Sequence, residues 1–344
     1  MWVTGVRCRV SEKKGQASYR QPTYYRRTLP RHLTPVTRHP LPVTRYLMTK
    51  NEMNSTAAQA KSALITGAGG LLGRSMTGLL SQSGWRVTAL THPELDVTRE
   101  DDVMRAVATA RPDYVINCVA TADVDRCERE PDWAFAVNES GPRSLARACR
   151  ESGAELVHVS TDYVFDGSKP GFYTQEDEPR PQSVYGKSKL AGEFAVRDEA
   201  ERFYIIRTSW LFGVGGKNFG SRVIEYARNG MPLKGVADQT SIPTYAPDAA
   251  RRIEEILRHG AHGLYHVTST GVATWYEFAQ VVLGLANLGN VEIIPVNRVD
   301  LNQLAPRPQN SAMRCLVSEK VGFAPLRDWR DTLPEFIRQY DMQM

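Results

Sequence analysis

The stretch ALITGAGGLLGRSMTGLLSQSGWRVTAL, residues 63–90, decides the fold. It predicts a short apolar strand, a glycine turn, an amphipathic helix and a second strand, which together form a βαβ unit. Gly67, Gly70 and Gly73 mark the turn, where small residues allow a tight bend and close approach of a pyrophosphate to the helix N-terminus. Glycine-rich turns also serve as plain loops, but both flanks fit here, so we predict a dinucleotide-binding turn.

The alternation of strands and helices continues along most of the chain. Apolar and amphipathic runs predict strands at residues 113–119, 155–159, 203–207 and 263–268, and helices at residues 133–150, 185–197, 219–229 and 275–288. This order predicts a Rossmann-like α/β fold, a doubly wound parallel sheet with helices on both faces. We assign residues 61–340 to it, with the NAD(P)-binding core mainly at 61–210 and a smaller C-terminal α/β substrate-binding domain mainly at 211–340.

The bulk composition excludes several classes of protein. With 344 residues, 42% of them hydrophobic, the chain can bury a sizeable core. It has no apolar run of about 18 residues and no apolar N-terminal signal, so we expect a cytoplasmic protein with no membrane partner. The five cysteines are scattered, with no CxxC pair and no histidines at metal-ligand spacing, which predicts neither disulfides nor a zinc site.

The positive charge is concentrated at the N-terminus. Residues 1–50 hold eleven Lys and Arg against one acid, Glu12, so the rest of a chain of net charge +5 is mildly acidic. We predict a disordered, Pro- and Arg-rich tail at residues 1–60 and no nucleic-acid partner for the folded part. A transit-like extension, an arm for an acidic partner, and a start at Met48 or Met53 all explain the tail, and we favour the last.

The end of the second predicted strand bears on the choice of cofactor. An acid there would bind the adenosine ribose of NAD and repel a 2′-phosphate, but the strand ends Leu90, Thr91, His92. This favours NADPH and leaves NADH open. Asp96 and Val97 follow, where a carboxylate and an apolar side chain can hold the adenine; a helix cap before Arg99 explains them equally well.

Two further motifs supply groups suited to carbonyl reduction. If residues 158–160 end a strand, Thr161, Asp162 and Tyr163 emerge at the ligand edge of the sheet; a turn that merely ends the strand is the alternative. In SVYGKSKLAGE, Tyr185 lies four residues before Lys189, so the two share a helix face. Reduction of a carbonyl needs a proton donor, a second hydrogen bond to the oxygen, and a cation that lowers the donor's pKa. We predict Tyr185, Thr161 and Lys189 for these roles, in that order.

The order of glycine turn, strand-end threonine and YxxxK resembles that of the extended short-chain dehydrogenases. A more specific set of motifs resembles the dTDP-4-dehydrorhamnose reductase family across residues 61–336, and comprises STDYVFDG, SVYGKSKLAGE, IIRTSWLFG, KNFGSRVIEYAR, ADQTSIPTY, GLYHVTSTGVATWYEFA and RPQNS. The resemblance implies reduction by NADPH, or NADH, of the 4-keto group of dTDP-4-dehydro-6-deoxy-L-mannose, giving dTDP-L-rhamnose.

The resemblance also assigns residues to the site. It implies that Thr161, Tyr185 and Lys189 carry catalysis, that Asp162 and Trp210 contact the dTDP-sugar, and that Gln239 lies in a substrate loop. It implies a cofactor lining made by Gly70, Leu71, Leu72, Asp96, Val97, Val119, Ala120 and Thr121. To these the predicted turn adds Gly67 and Gly73, and the catalytic pair adds Tyr185 and Lys189, since Lys189 can also reach the nicotinamide ribose. Trp210 offers a flat apolar face for stacking, although a core role is the alternative. Arg307 suits a diphosphate, with a surface arginine as the equal alternative.

The segment CVATADVDRCE departs from the family pattern at Cys118, Val119, Thr121 and Asp123, which puts cofactor contacts there in doubt. Asp125 and Glu128 do match acids that some members use near a dimer contact with magnesium. A solvated helix start explains these two acids adequately, so Mg²⁺ and a homodimer stay open.

Two alternative functions remain open. The chain can act on another nucleotide-linked 4-keto-6-deoxysugar, since the chemistry of the three catalytic groups does not depend on the nucleotide. The regulatory β subunit of methionine adenosyltransferase also resembles this family. If this chain has such a regulatory function, it should bind the cofactor without turnover. Trp210 and the Gln239 loop favour the reductase.

Overall fold

The computed structural model describes residues 60–343, so the tail predicted for residues 1–60 lies outside the described residues except for its last position. No helix within this range is long and apolar enough to cross a membrane. In chain order the elements are β1 (Ser62–Thr66), α1 (Leu71–Gln82), β2 (Arg86–Leu90), α2 (Glu100–Ala110), β3 (Tyr114–Asn117), α3 (Val124–Arg129), α4 (Pro131–Phe135), α5 (Gly141–Ser152), β4 (Glu155–Thr161), α6 (Val184–Glu199), β5 (Phe203–Thr208), β6 (Leu211–Phe212), α7 (Phe219–Arg228), β7 (Leu233–Val236), β8 (Thr240–Ser241), β9 (Thr244–Tyr245), α8 (Ala246–His259), β10 (Gly263–His266), β11 (Ala273–Thr274), α9 (Trp275–Leu285), β12 (Ile293–Val296), α10 (Leu316–Lys320) and α11 (Trp329–Asp341).

The predicted βαβ unit is present, and it opens a six-stranded parallel sheet. The strand order is β10-β5-β4-β3-β1-β2, with every neighbouring pair parallel. The chain winds outward from β1 to β2 on one side and from β3 to β10 on the other. This confirms the predicted doubly wound fold, and the reversal between β1 and β3 places a ligand crevice at their carboxyl ends.

Helices cover both faces of the sheet, because its strands are apolar on both sides. On one face α1 and α8 pack on the sheet through Met76, Leu80, Ile253 and Ile256, all of which are buried. On the other face α2, α5 and α6 bury a second cluster around Leu145 and Val196.

A third hydrophobic cluster lies in the C-terminal part of the chain. It joins Phe212, Phe278, Trp329 and Phe336 and brings together α7, α9 and α11 with the short strands β6, β7, β9 and β12. However, α8 and β10 return to the main sheet, so residues after 211 contribute to both regions. The predicted domain boundary near residue 210 therefore stays a prediction.

Gly192 marks a point where α6 lies close to a neighbouring helical turn. A Cβ at this position would overlap the backbone oxygen of Asn138. Because backbone cannot move aside cheaply, we expect Gly192→Ala to lower the free energy of unfolding by about 1–3 kcal/mol. Urea titration of both proteins would check this.

Gly78→Ala is the matched control for this prediction. Gly78 lies inside α1, and nothing lies within 4 Å of a Cβ built there. This variant should gain about 0.5–1 kcal/mol from better helix propensity. A loss at Gly78 as large as that at Gly192 would contradict the steric explanation.

Candidate active site

The glycine turn forms one wall of the crevice between β1 and β3. Gly67 has φ of 70°, and a Cβ on it would lie 2.9 Å from the backbone of Cys118 and Val119 after β3. A Cβ on Gly73 would overlap the Gly67 carbonyl oxygen. Gly70 begins α1 without a side-chain cap, so the first backbone N–H groups of α1 have no such partner. The three glycines thus make the close backbone approach and helix N-terminus that suit a pyrophosphate.

A buried polar chain fixes the ends of three adjacent strands beneath this crevice. Thr66 Oγ1 donates to Asn117 Oδ1 at 2.9 Å, and Asn117 Nδ2 lies 3.1 Å from His158 Nδ1. The Val119 backbone N–H also donates to Asn117 Oδ1, at 3.0 Å. Burial lowers the pKa of His158 well below its usual value, so the imidazole is neutral. The segment after β3 is therefore held by hydrogen bonds that do not change charge near neutral pH.

Predicted cofactor residues near the crevice differ in what their side chains do. Leu72 is buried in the core below α1, so it supports the turn rather than lining the crevice. Leu71 and Val119 are half-buried, and Ala120 is exposed. Thr121 is buried, and its backbone N–H donates to Asn138 Oδ1 at 3.1 Å.

The segment after β2 carries an acid that the strand-end prediction overlooked. The Glu94 carboxylate accepts hydrogen bonds from the Thr91 backbone N–H at 2.7 Å and from its hydroxyl at 2.6 Å. Thr91 lies beside the glycine turn, since its Cγ2 is 3.6 Å from a Cβ built on Gly69. These hydrogen bonds lower the pKa of Glu94. A negative charge therefore lies near the end of β2, although the strand itself ends without an acid.

Asp96 and Val97 lie in the turn before α2, and a contact of Asp96 with adenine stays a prediction. Asp96 accepts from the backbone and side chain of Thr98, which closes a turn, whereas α2 begins at Glu100 after Arg99. Asp96 therefore does not cap the helix. Val97 is buried against α2 and α5, so its side chain belongs to the core.

The three predicted catalytic residues lie together at the carboxyl end of β4. Thr161 ends that strand beside the Tyr185 phenol, whose pKa is raised by burial and lowered to a smaller extent by the Thr161 hydroxyl. Thr161 Oγ1 also accepts from the Tyr163 backbone N–H at 3.2 Å, so the predicted turn is present as well. Tyr185 is buried on α6 and contacts Tyr163 edge to face, with ring centroids 5.5 Å apart.

Lys189 is held by the backbone of β4, and its predicted lowering of the Tyr185 pKa stays a prediction. Its ammonium donates to the Val159 carbonyl oxygen on β4 at 2.6 Å. Burial raises the pKa of Tyr185 above its ordinary value, opposed mainly by the Thr161 hydrogen bond. Burial lowers the pKa of Lys189 to about 8. In this structure Tyr185 is thus held as the neutral phenol, which is the form that can donate a proton.

Asp162 ties the site to two distant loops. One carboxylate oxygen accepts from the Thr161 hydroxyl at 3.0 Å, and the other accepts from Ser241 at 3.2 Å and from Ser311. Burial raises the pKa of Asp162 to about 6, against the lowering effect of these hydrogen bonds. One carboxylate oxygen therefore joins the end of β4 to β8 and to the segment that carries Ser311, while the other bonds Thr161.

Trp210 lies just after β5 in a left-handed conformation, with φ of 40°. Its ring stacks on Trp275 with centroids 3.5 Å apart and planes 12° apart. Its indole nitrogen is buried and has no hydrogen-bond partner within the described residues. Non-glycine residues with such backbone strain cluster at functional sites. One face of the predicted stacking surface is therefore already covered by Trp275.

Arg307 is not the surface arginine that the sequence left open. Its Nη1 lies 3.1 Å from Asp125 Oδ1 and donates to the Ala305 carbonyl oxygen at 2.9 Å. The prediction of a solvated helix start is wrong, because Asp125 is buried by this loop and Glu128 accepts from the Val184 backbone N–H at 2.7 Å. Between residues 60 and 343, no group of three His, Cys, Asp or Glu side chains is placed to hold a metal ion.

Sequence reasoning missed one buried polar residue of the site, Asn138. Asn138 lies in a π-helical turn, residues Ala136–Ser140, and its Nδ2 donates to Ser188 Oγ at 3.0 Å. Short π-helical turns are frequent at functional sites, but no sequence pattern marks this one. Tyr163, which the sequence placed at the ligand edge, lies half-buried against Tyr185.

Comparison with known proteins supports the same assignment. Residues 61–342 match the family model described as the RmlD substrate binding domain. A dTDP-4-dehydrorhamnose reductase of Streptomyces griseus is 40% identical over 278 residues, which cover 79% of this chain and 91% of the relative. A probable dTDP-4,6-dihydroxy-2-methyloxan-3-one 4-ketoreductase of Streptomyces antibioticus is 40% identical over 274 residues, covering 79% and 93%.

A solved structure is similar over nearly its whole length. The dTDP-4-dehydrorhamnose reductase of Bacillus anthracis, in complex with NADP, is 34% identical with a TM-score of 0.79. The match covers 81% of this chain and 99% of that one.

Proposed function

The chain belongs to the RmlD substrate-binding domain family, and from that premise we propose that it is an oxidoreductase that reduces the 4-keto group of dTDP-4-dehydro-6-deoxy-L-mannose with NADPH to give dTDP-L-rhamnose. The observation that carries the proposal is the meeting of Thr161, Tyr185 and Lys189 at the carboxyl end of β4, next to the glycine turn.

The groups at the end of β4 suit proton transfer to a carbonyl oxygen. NADPH, when bound on the glycine turn, supplies the hydride that adds to the carbonyl carbon. Tyr185 gives its hydroxyl proton to the carbonyl oxygen, and the Thr161 hydroxyl turns from Asp162 to donate a second hydrogen bond to that oxygen. Lys189 then stabilises the phenolate left on Tyr185 by charge attraction.

The substrate residues are proposed on the same basis. Trp210 presents the uncovered side of its ring, and its buried indole N–H is free to donate to the sugar nucleotide. Arg307 offers its remaining donors to the diphosphate while Asp125 holds it in place. Asp162 acts by positioning the loops that carry Ser241 and Ser311.

NADPH oxidation followed at the nicotinamide absorbance tests the function. The substrate is dTDP-4-dehydro-6-deoxy-L-mannose, generated in place by the enzymes that produce it. We expect oxidation that depends on this sugar, with dTDP-rhamnose as the product. NADPH binding without oxidation would contradict the proposal and support the regulatory-subunit alternative.

A second keto-sugar remains a candidate because one relative of equal identity is named a ketoreductase of a different dTDP-sugar. The same assay with a dTDP-4-keto-6-deoxy-D-sugar separates the two candidates. The proposal holds if kcat/KM for the L-mannose derivative is the larger of the two values.

The pH dependence should report the charge of Lys189. Its pKa lies at about 8, so the ammonium loses its proton as the pH rises through that value. Tyr185 stays protonated there because burial raises its pKa. We therefore expect kcat/KM to be level near neutral pH and to fall above about pH 8. A profile that stays level to pH 10 would show that the charge of Lys189 is not needed.

Cofactor choice should depend on Glu94. We predict tighter binding of NADPH than of NADH, but Glu94 near the end of β2 opposes a 2′-phosphate by charge repulsion. Glu94→Gln should therefore raise NADPH affinity by about threefold to tenfold and leave NADH affinity nearly unchanged. Fluorescence titration with both cofactors measures this, and equal changes for the two would contradict it.

A further inference from the structure

A buried ion pair lies behind Lys189 and has no part in the proposed proton transfer. The Glu193 and Arg207 side chains are 0% and 2% exposed, and Arg207 Nε and Nη2 donate to the two Glu193 oxygens at 2.8 and 2.7 Å. Ser160 Oγ donates to the same carboxylate at 2.6 Å. Buried pairs can often be replaced by apolar residues without loss of stability, so stability alone does not explain this one.

The pair is placed to act on Lys189. Glu193 follows Lys189 by one turn of α6, so the carboxylate and the ammonium lie on the same helix face. Neighbouring residues of β4 hold the two side chains, because Lys189 donates to the Val159 carbonyl oxygen and Ser160 donates to Glu193. Arg207 on β5 fixes the carboxylate from the far side.

The charges around Lys189 give Glu193 a specific effect. Burial lowers the pKa of Lys189, and the Glu193 carboxylate is the strongest influence in the opposite direction. Cys118, after β3, also faces Lys189, but burial raises the pKa of this thiol and keeps it neutral. His158 on β4 and Tyr185 on α6 are likewise neutral, since burial lowers the pKa of the first and raises that of the second.

We propose that Glu193 is a positioning residue that keeps Lys189 protonated and aligned along β4, and that Arg207 and Ser160 hold Glu193 in place for this purpose. The consequence for turnover rests on the proposed function. The effect on the charge of Lys189 is a property of the folded chain and needs no substrate.

The test is an NMR titration of ¹³C-lysine-labelled full-length chain without substrate, with the Lys189 resonance assigned by its loss in Lys189→Met. In Glu193→Gln the amide oxygen still accepts from Ser160, but the charge is gone. We expect the midpoint at which Lys189 loses its proton to fall by about one pH unit or more. The alkaline limb of kcat/KM should move to lower pH by the same amount.

Two further variants make the result decisive. Glu199→Gln removes a carboxylate from the end of the same helix, where it pairs with Arg147 and Arg150, and should leave the midpoint unchanged. Should Glu193→Gln fail to fold because Arg207 is left unpaired, Glu193→Gln with Arg207→Met leaves no unpaired charge. This variant should show a smaller fall, because the loss of the Arg207 cation partly offsets the loss of the carboxylate. An unchanged midpoint in the folded variant overturns the proposal. Absence of turnover in the wild-type chain overturns the proposed function instead, and leaves the titration result standing.

Discussion

Replacing Tyr185 by phenylalanine is expected to lower kcat by roughly 10² to 10⁴, the usual contribution of a positioned acid. The loss follows because the substitution removes the hydroxyl that is proposed to give its proton to the carbonyl oxygen. The phenyl ring itself stays packed against Tyr163, so the fold and the NADPH affinity should change little. Steady-state kinetics and fluorescence titration of NADPH would measure the two quantities.

Tyr114→Phe is the control for this prediction. Tyr114 lies at the amino end of β3, away from the crevice, and its hydroxyl donates to the Leu257 carbonyl oxygen at 3.5 Å. This variant should keep kcat within about twofold of the wild-type value. Unchanged turnover in Tyr185→Phe would remove Tyr185 from the mechanism.

Lys189→Met is the second substitution with a large expected effect. We expect kcat to fall by about 10² to 10³, which is the usual result of removing one electrostatic contact to a charge that develops in the transition state. Methionine fills the buried space but leaves a Tyr185 phenolate with no cation beside it. The variant should stay folded, because burial already disfavours the charged lysine. Its pH profile should lose the fall above about pH 8.

Lys187→Met is the matched control on the same helix. Lys187 is exposed on α6, two residues before Lys189. We expect its kcat and its pH profile to equal those of the wild-type chain. If Lys189→Met kept full turnover, the hydrogen bond to Val159 would be the whole role of this lysine.

The parts of the site that the sequence could predict are those set by local geometry. The glycine spacing at Gly67 and Gly73 follows from the βαβ turn, because only small residues fit between β1 and α1. Thr161 at a strand end and the pair Tyr185 and Lys189 on one helix face follow from the periods of strands and helices. These elements could be placed without any knowledge of tertiary contacts.

The parts that could not be predicted depend on contacts between distant segments. Arg307 pairs with Asp125, 182 positions away, so the residues next to Arg307 in the sequence predict neither its burial nor its partner. Arg207 stands in the apolar strand FYIIRT, and nothing local shows that Glu193 will neutralise it.

The cofactor side of the crevice shows the same limit. Val97 looked suited to contact adenine, but the packing of α2 and α5 turns it into the core. Glu94 was passed over because it lies beyond the strand end, yet the turn brings its carboxylate back to Thr91. The positions of the Val97 and Glu94 side chains both depend on loop conformation, which local sequence propensity specifies only weakly.

The most direct measurement is the transfer of deuterium from NADPH labelled at the reactive C4 position of nicotinamide to dTDP-4-dehydro-6-deoxy-L-mannose, analysed by NMR of the isolated product. We predict dTDP-L-rhamnose with deuterium on C4 of the sugar, and much less of this product from Tyr185→Phe in the same time. A product labelled at another carbon, or NADPH left unoxidised beside an intact keto-sugar, would contradict it.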